Sequence, residues 1–141
     1  MTKLQKHTSS LVIHSQTHRL KEVREFVAEQ AQLHGFKEDD INKIVIAVDE
    51  ACTNIIKHGY RFAENETIEI QINRNGNEFE ILITDHGKKF DPSSVAVPDM
   101  QEYLSHYHRG GLGIYLMKRI MDKVEFSFQQ KTNTLRLVKY L

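Results

Sequence analysis

The chain has no excess of charge of either sign. Its 141 residues carry 19 Lys+Arg and 19 Asp+Glu, so the formal net charge is zero. This balance argues against a general electrostatic grip on nucleic acid or on an anionic membrane surface, although a local basic patch would not show in the total. We therefore expect no direct nucleic-acid partner.

Cysteine and long apolar runs are also nearly absent. The single cysteine, Cys52, cannot form an internal disulfide, which is typical of a reducing cytosol. The N-terminal stretch MTKLQKHTSSLVIHSQ lacks the apolar run of a signal peptide. No window approaches the roughly 18 apolar residues that cross a bilayer. We expect a cytoplasmic protein without a membrane span.

Proline occurs only as Pro92 and Pro98, and both fall in one stretch, His86–Arg109. This stretch has no sustained hydrophobic period, and a loop of this length in a compact domain is usually functional or mobile. The total length suits one domain, residues 1–141, with one core.

Three segments have helical spacing of apolar residues. The first begins at Leu20 and is closed by Gly35, and the second begins near Asp39, whose acidic side chain suits a helix N-terminus. The second segment ends at Gly59, and the third lies within Arg109–Asp122. The apolar stripe of the second segment comprises Ile41, Ile44, Val45, Val48, Cys52 and Ile55, which makes Cys52 a small core residue.

Alternating segments predict the strands. Leu11–Ile13 indicates a short first strand, and TIEIQINRNGNEFEILITD alternates on both sides of Asn75-Gly76, a hairpin turn signal. KVEFSFQQKTNTLRLVKYL predicts a second hairpin at the C-terminal end. The order strand, two helices, hairpin, long loop, helix, hairpin predicts a mostly antiparallel sheet with the helices on one face, an α+β two-layer sandwich.

The second helix carries a polar pair in the segment AVDEACTNIIKHGY. Glu50 and Asn54 are four residues apart and are therefore neighbours on the helix surface, away from the apolar stripe. Only Ala47 and Ala51 lie between and beside them, which leaves room for a ligand against the helix. Taken alone, the pair is also explained by the solvated face of an amphipathic helix.

A second polar motif is ITDHGKKFDP, at the end of a strand. Asp85 offers a carboxylate that, if buried, accepts a hydrogen bond from an amino group. Gly87 allows the backbone to approach a ligand closely or to adopt a positive φ. Taken alone, the motif is also explained by an ordinary Asp-x-Gly turn.

The third motif is RGGLGIYLMKRIMD. Gly110, Gly111 and Gly113 open a helix, although an interior glycine costs about 1 kcal/mol relative to alanine. Backbone amides without side chains at a helix N-terminus form a cradle for phosphate, and a flexible hinge is the alternative explanation. The chain contains no G-x-x-x-x-G-K-[ST] loop, and Leu116 stands where the dinucleotide motif requires its last glycine.

In this order and spacing, the motifs resemble those of the GHKL, or Bergerat-fold, ATP-binding superfamily, and most closely its bacterial anti-sigma-factor serine/threonine kinases. The likeness covers nearly the whole chain. It is carried by Glu50-Ala51-x-x-Asn54, Asp85-x-Gly87-x-x-Phe90-Asp91 and Gly110-Gly111-Leu112-Gly113-Ile114-x-Leu116-Met117. Lys89 stands where many superfamily members have a second glycine, which favours this branch over a histidine-kinase catalytic domain.

The resemblance implies that the chain binds ATP with Mg²⁺. It makes Glu50 the general base, Asn54 the Mg²⁺ ligand and Asp85 the acceptor for the adenine amino group, with His86–Arg109 as a lid. The residues that it assigns to nucleotide binding are Asn54, Asp85, Gly87, Phe90, Arg109, Gly110, Gly111, Leu112 and Gly113. Lys88, Lys89 and Arg109 are candidates for phosphate contacts, and solvated surface charge explains them equally well.

The function that the resemblance implies is a kinase that phosphorylates an anti-anti-sigma antagonist and sequesters a sigma factor or another client, as a homodimer. The alternative is a nucleotide-binding partner-switch module with little or no kinase activity. Glu50 favours the kinase, because binding alone needs no base. A plain ATPase or a sensor-kinase fragment is disfavoured, since no dimerisation helix with a phosphoacceptor histidine is present.

The eight histidines do not predict a transition-metal site. His106-x-His108 and His58 lack a third and fourth ligand at zinc spacing. We therefore expect no metal other than Mg²⁺.

Overall fold

The computed structural model describes residues 8–89 and 112–141. Within these ranges it contains five strands and three α-helices. The strands are β1 (Thr8–His14), β2 (Thr67–Asn75), β3 (Glu78–Asp85), β4 (Lys123–Gln129) and β5 (Thr132–Tyr140). The helices are α1 (Leu20–Leu33), α2 (Glu38–Asn54) and α3 (Leu112–Ile120). A 3₁₀ turn, Thr17–Arg19, precedes α1, and a π-helical turn, Ile55–Gly59, follows α2.

The strands form one sheet in the order β1-β2-β3-β5-β4, and all four neighbouring pairs are antiparallel. One face of the sheet is covered by the helices, with α2 in contact with both α1 and α3. The predicted α+β two-layer sandwich is therefore confirmed.

The core lies between the helices and the inner face of the sheet. On β2 and β3 the side chains alternate, so that cross-strand pairs such as Ile70–Ile83 and Ile72–Ile81 share this face. Each of these isoleucines is fully buried, and burying such a side chain contributes about 1.5–3 kcal/mol. Phe79 is buried at the same face and meets the ring of Phe36 edge-on at 5.1 Å between centroids.

The end of α1 follows the predicted glycine signal. Gly35 has φ +95°, its N–H donates to the carbonyl of Gln32, and the N–H of Phe36 donates to the carbonyl of Ala31. These two bonds are those of a Schellman motif, which satisfies carbonyls that the helix end leaves open.

Both predicted hairpins form, and the turn of the first differs in detail from the sequence signal. The first turn consists of Gly76–Asn77 rather than Asn75-Gly76, and only Gly76 has a positive φ, 61°, as in a type II′ turn. The second turn places Gln130 and Lys131 at φ 53° and 61° without a glycine. The pairing of the two long strands therefore imposes positive φ values on this turn, although glutamine and lysine do not favour them.

Candidate functional site

The C-terminal half of α2 lies at one side of the candidate site. Asn54, the last residue of the α-helical part, is 8% exposed, and Glu50 one turn earlier is half-buried. Ala47 and Ala51 are 0% and 3% exposed and belong to the core. The expectation that these two alanines leave open room for a ligand is wrong, because both are buried in the core.

The helical path continues past Asn54 as a π-helical turn to Gly59, where the sequence predicts the helix end. The N–H of Tyr60 donates to the carbonyl of Ile55, five residues back, at 2.8 Å. Such turns widen the helix and are frequent at functional sites. Here the turn brings Gly59 against the segment that follows β3.

Gly87 is in direct backbone contact with Gly59. A Cβ on Gly87 would lie 2.7 Å from the carbonyl carbon and oxygen of Gly59, and the N–H of Lys88 donates to the same oxygen at 3.0 Å. Gly87 does not have a positive φ. The need for glycine therefore comes from the close approach of two backbones, and no described contact places it beside a ligand.

Asp85 ends β3 on the inner face of the sheet and is 4% exposed. Its Oδ1 accepts a hydrogen bond from the Gly87 N–H at 2.8 Å and from the Asn133 side-chain amide at 3.1 Å. Within residues 8–89 and 112–141, both hydrogen bonds found to this carboxylate use Oδ1. Oδ2 therefore remains available to accept a hydrogen bond from a ligand.

Burial raises the pKa of Asp85 above the ordinary aspartate value. The hydrogen bonds from Gly87 and Asn133 and the charge of His86 act in the opposite direction and favour the carboxylate. A desolvated carboxylate of this kind is typical of a site that recognises a polar ligand group.

Tyr60 links the start of β2 to the segment after β3. Its buried hydroxyl donates to the carbonyl of Thr67 at 2.6 Å and accepts from the N–H of His86 at 2.7 Å. Burial raises the pKa of this phenol. The sequence-based analysis missed Tyr60, because no local pattern shows which side chain completes the backbone bonding of a distant turn.

Asn133 on β5 is the second residue that the sequence-based analysis missed. It is 7% exposed, and its side-chain nitrogen lies within hydrogen-bonding distance of Asp85 Oδ1 and of the carbonyls of Gly87 and Lys88. The only available signal was an asparagine in line with the inward-facing Leu135 and Leu137 of the same strand, in TNTLRLV.

The glycine-rich segment is only partly described. Helix α3 begins at Leu112, with Gly113 in its first turn, and its residues Ile114 and Met117 are buried in the core. The predicted ligand residues Phe90, Arg109, Gly110 and Gly111 lie outside the described residues, as does the predicted lid beyond Lys89. Among the described residues, Asp85 and Gly87 contact Gly59, at the end of the turn that follows Asn54, whereas no described contact joins Glu50 or Asn54 to Asp85.

Cys52 and Lys89, which are close in sequence to the predicted site residues, each have contacts with other parts of the protein. Cys52 is fully buried as predicted, and burial together with the charges of Asp49 and Asp85 raises the pKa of its thiol. Lys89 places its ammonium group 5.7 Å from the ring centre of Phe128, a cation–π distance.

The donor set at this site suits Mg²⁺ only together with oxygen atoms of a bound phosphate. Asn54 offers a hard amide oxygen, and no described residue makes a hydrogen bond to its side chain. Among the described residues, no three His, Cys, Asp or Glu side chains are grouped as in a protein-only metal site. Mg²⁺ commonly takes one or two protein ligands and completes its shell with phosphate and water, so the residues present fit it.

An antiparallel sheet covered by helices on one face defines an α+β two-layer domain, and here a buried carboxylate lies at a strand end. The chain belongs to the histidine kinase-like ATPase domain family, which matches residues 13–139. The predicted superfamily is thus confirmed. No helix in the described ranges has the length and apolar character of a bilayer-crossing segment.

The relatives of this chain include proteins named as serine-protein kinases. The chain is 34% identical over 123 residues to the serine-protein kinase RsbW of Bacillus cereus (strain AH820) and of Bacillus anthracis, and the alignment covers 84% of this chain and 76% of each relative. The fold also matches a solved structure of the RsbU and RsbW domains of a Mycobacterium tuberculosis protein, with a TM-score of 0.69 at 16% identity. That match covers 96% of this chain and 32% of the longer one, and it concerns the fold alone.

Proposed function

We propose that this protein is an ATP-dependent serine/threonine protein kinase of the anti-sigma-factor type. The observation that carries the proposal is the buried Asp85 carboxylate, which is held through Oδ1 next to the end of the helix that bears Glu50 and Asn54. The 34% identity to serine-protein kinases supports the same activity.

In the proposed complex, Asp85 recognises the adenine ring of the nucleotide. Its Oδ2 accepts a hydrogen bond from the adenine amino group, while Oδ1 stays bonded to Gly87 and Asn133. The contact of Gly87 with Gly59 holds the turn after Asp85 in place, and it would so fix the position of the adenine ring relative to α2.

Asn54 and Glu50 act on the phosphate side. The Asn54 amide oxygen would hold Mg²⁺, which supplies positive charge to the phosphates when bound. The Glu50 carboxylate takes the proton of the acceptor hydroxyl as that oxygen bonds to the γ-phosphorus and the bond from phosphorus to the ADP oxygen breaks. One helical turn, a rise of about 6 Å over four residues, separates the two side-chain positions.

The other residues proposed to bind the nucleotide are assigned from the resemblance to the family. Gly110, Gly111 and Gly113 would present backbone amides to the phosphates at the start of α3, where the helix dipole favours negative charge. Phe90, Arg109 and Leu112 are proposed to border the same nucleotide.

The proposed protein substrate is an anti-anti-sigma antagonist with an acceptor serine or threonine, and the proposed client is a sigma factor or a similar protein. Phosphorylation adds about two negative charges beside the nucleotide phosphates, which disfavours rebinding of the product. The antagonist and the client compete for overlapping or adjoining surfaces, so the unphosphorylated antagonist displaces the client in the presence of nucleotide and the phosphorylated form does not. We further propose that the protein acts in the cytoplasm as a homodimer.

The test combines calorimetry and a transfer assay. Mg²⁺-ATP should bind the wild type, and D85N should bind it weaker by on the order of 2 kcal/mol, because the amide opposes its own donor to the adenine amino group. Glu69→Gln, which changes an exposed carboxylate on the opposite face of the sheet, is the matched control. Equal affinity of D85N and wild type for Mg²⁺-ATP would show that Asp85 does not bind the adenine ring.

Transfer of the labelled γ-phosphoryl group to candidate antagonists separates the two functions. Transfer by the wild type supports the kinase. Tight ATP binding without transfer to any antagonist encoded near this gene would favour the partner-switch module instead.

A further inference from the structure

Arg61 and Phe62 form a strained turn shortly after the π-helical turn. Both have a positive φ, 48° and 64°, and the N–H of Ala63 donates to the carbonyl of Tyr60 at 2.9 Å, as in a type I′ turn. Such turns favour glycine, asparagine and aspartate at the two central positions, and a positive φ is an outlier for a side chain as bulky as phenylalanine. The free protein therefore bears a conformational cost at this turn that glycine would remove.

The surrounding structure holds this turn in place through its backbone. The N–H of Phe62 donates to the carbonyl of Ile56 at 2.8 Å, and the buried Ser15 hydroxyl donates to the carbonyl of Ala63. The Phe62 ring takes no part in these bonds and is 58% exposed, more than any other phenylalanine in the described part of the chain. A strained turn that presents an exposed aromatic ring, with no gain for the fold itself, indicates a function outside the fold.

Arg61 adds a positive charge beside the exposed ring. Its side chain is exposed, and among the described residues its guanidinium forms no ion pair, although Glu64 and Glu66 follow closely in the chain. Arginine and aromatic residues are enriched at the centre of protein–protein interfaces, whereas small-molecule sites are concave. The two glutamates would repel the phosphates of a nucleic acid, so a protein is the macromolecule that suits this turn.

The position of the turn indicates which protein would bind there. Its first residue, Tyr60, accepts a hydrogen bond from the N–H of His86, so the turn lies on the Asp85 side of the proposed nucleotide site. Glu50, the proposed base, stands ten residues before Tyr60, which corresponds to roughly 15 Å along a helical path. An acceptor hydroxyl must reach Glu50, whereas a client that is not phosphorylated has no such requirement. The turn therefore suits the proposed client better than the antagonist.

We propose that Arg61 and Phe62 anchor the client protein. The Phe62 ring enters an apolar pocket on the client, and the Arg61 guanidinium pairs with a carboxylate at the rim of that pocket. Burial of the ring and pairing of the guanidinium offset the strain of the turn only in the complex, which explains why the free protein keeps these two residues exposed. The inference rests on the proposed function, which supplies the client.

The experiment measures the binding of purified sigma factors of the organism that encodes this chain, each tested alone by calorimetry with the full chain and Mg²⁺-ATP. The variants are Phe62→Ala, Phe62→Gly and Arg61→Gly. Leu33→Ala is the matched control, because Leu33 is 71% exposed at the end of α1 and its truncation removes a similar apolar surface elsewhere. Thermal unfolding verifies that each variant is folded, and the affinity for Mg²⁺-ATP is measured on the same samples.

We expect Phe62→Ala to weaken client binding by at least about tenfold and Leu33→Ala to leave it unchanged. Phe62→Gly should weaken it as much and yet unfold at a higher temperature than Phe62→Ala, because glycine adopts a positive φ freely. Arg61→Gly should weaken client binding and make it less dependent on salt, since salt screens an exposed ion pair. The affinity for Mg²⁺-ATP should stay unchanged in all these variants.

The outcomes distinguish this inference from the proposed function. A wild-type protein that binds none of the sigma factors overturns the proposed client, and the inference with it. A client that binds the wild type and both Phe62 variants equally overturns only the inference. The same holds if Phe62→Ala abolishes phosphorylation of the antagonist but retains client binding, if it converts a dimer to a monomer in ultracentrifugation, or if it removes binding of a single-stranded RNA probe instead.

Discussion

The backbone of Gly87 lies against the backbone of Gly59, close enough that no side chain fits between them. The hydrogen bond from Lys88 N–H to the Gly59 carbonyl reinforces the contact. Gly59 ends the helical path that carries Glu50 and Asn54, and Gly87 follows Asp85 by two residues. The contact therefore fixes the distance between Asp85, which is proposed to bind adenine, and the helix whose residues are proposed to act on the phosphates.

Substitution of Gly87 by alanine should damage both stability and ATP binding. The new Cβ would meet the Gly59 carbonyl carbon and oxygen at 2.7 Å, and backbone cannot move aside as a flexible side chain can. Overpacking of this kind costs about 1–3 kcal/mol of unfolding free energy, measurable by urea denaturation. ATP affinity should fall in calorimetry, since the turn must shift.

Gly59→Ala is the matched control for this prediction. Its Cβ would lie 3.7 Å from Asp85 Oδ1 and 3.8 Å from the Ile55 side chain, which are ordinary contact distances. We expect the variant to fold and bind ATP nearly as the wild type does. Equal damage from both alanines would contradict the packing explanation.

D85N should stabilise the ligand-free protein at neutral pH while it weakens ATP binding. Burial disfavours the charged form of Asp85 and raises its pKa, and an amide of the same shape removes that charge while its oxygen still accepts from Gly87 and Asn133. In urea denaturation the midpoint should rise without a change in the m-value. A gain in stability together with a loss of binding is expected when a residue serves function at the cost of stability.

The pH dependence of the difference between D85N and wild type has a definite sign. Because burial raises the pKa of Asp85 in the folded state, its contribution to stability is fully present below the unfolded value near 3.9 and is lost as the pH rises through the folded value. The advantage of D85N should therefore grow as the pH rises from about 4 and level off above the folded pKa. An advantage that stays constant from pH 3 to 8 would show that Asp85 titrates alike in both states.

Tyr60→Phe should destabilise the fold by about 1–3 kcal/mol. The variant leaves two buried backbone groups, the Thr67 carbonyl and the His86 N–H, without the phenolic oxygen that bonds to both. Chemical denaturation provides the measurement. Tyr140→Phe, at an exposed tyrosine, should stay within about 0.5 kcal/mol of the wild type, and a similar loss in both variants would count against the bridging role.

Glu50→Gln should separate binding from chemistry. The amide keeps the shape of the half-buried side chain and removes the base, so ATP binding should be retained while phosphoryl transfer to a protein acceptor falls by roughly 10²-fold or more. Calorimetry and transfer of labelled phosphate measure the two properties on one sample. Transfer at the wild-type rate would refute Glu50 as the base.

The sequence alone determined the element types, their order and the fold class. Period-2 alternation in β2 and β3, 3–4 spacing in α1 and α2, and glycine at the α1 end are local signals, because each depends on neighbouring residues along the chain. The motif residues Glu50, Asn54 and Asp85 were also identified from sequence, and the structure shows that Asn54 and Asp85 are buried and that Glu50 is half-buried. Their chemical roles remain predictions, as do the roles of Gly110 and Gly111.

Only the tertiary structure decided which distant groups meet. Asn133 and Asp85 are 48 residues apart and bond because β3 pairs with β5 in one register, and Tyr60 reaches His86 because a π-helical turn aims it there. Ala47 is buried in the core, although it lies outside the apolar stripe that the sequence predicts for α2. None of these contacts has a local signature, since a hydrogen bond or a packed surface between distant segments depends on how whole elements are placed against one another.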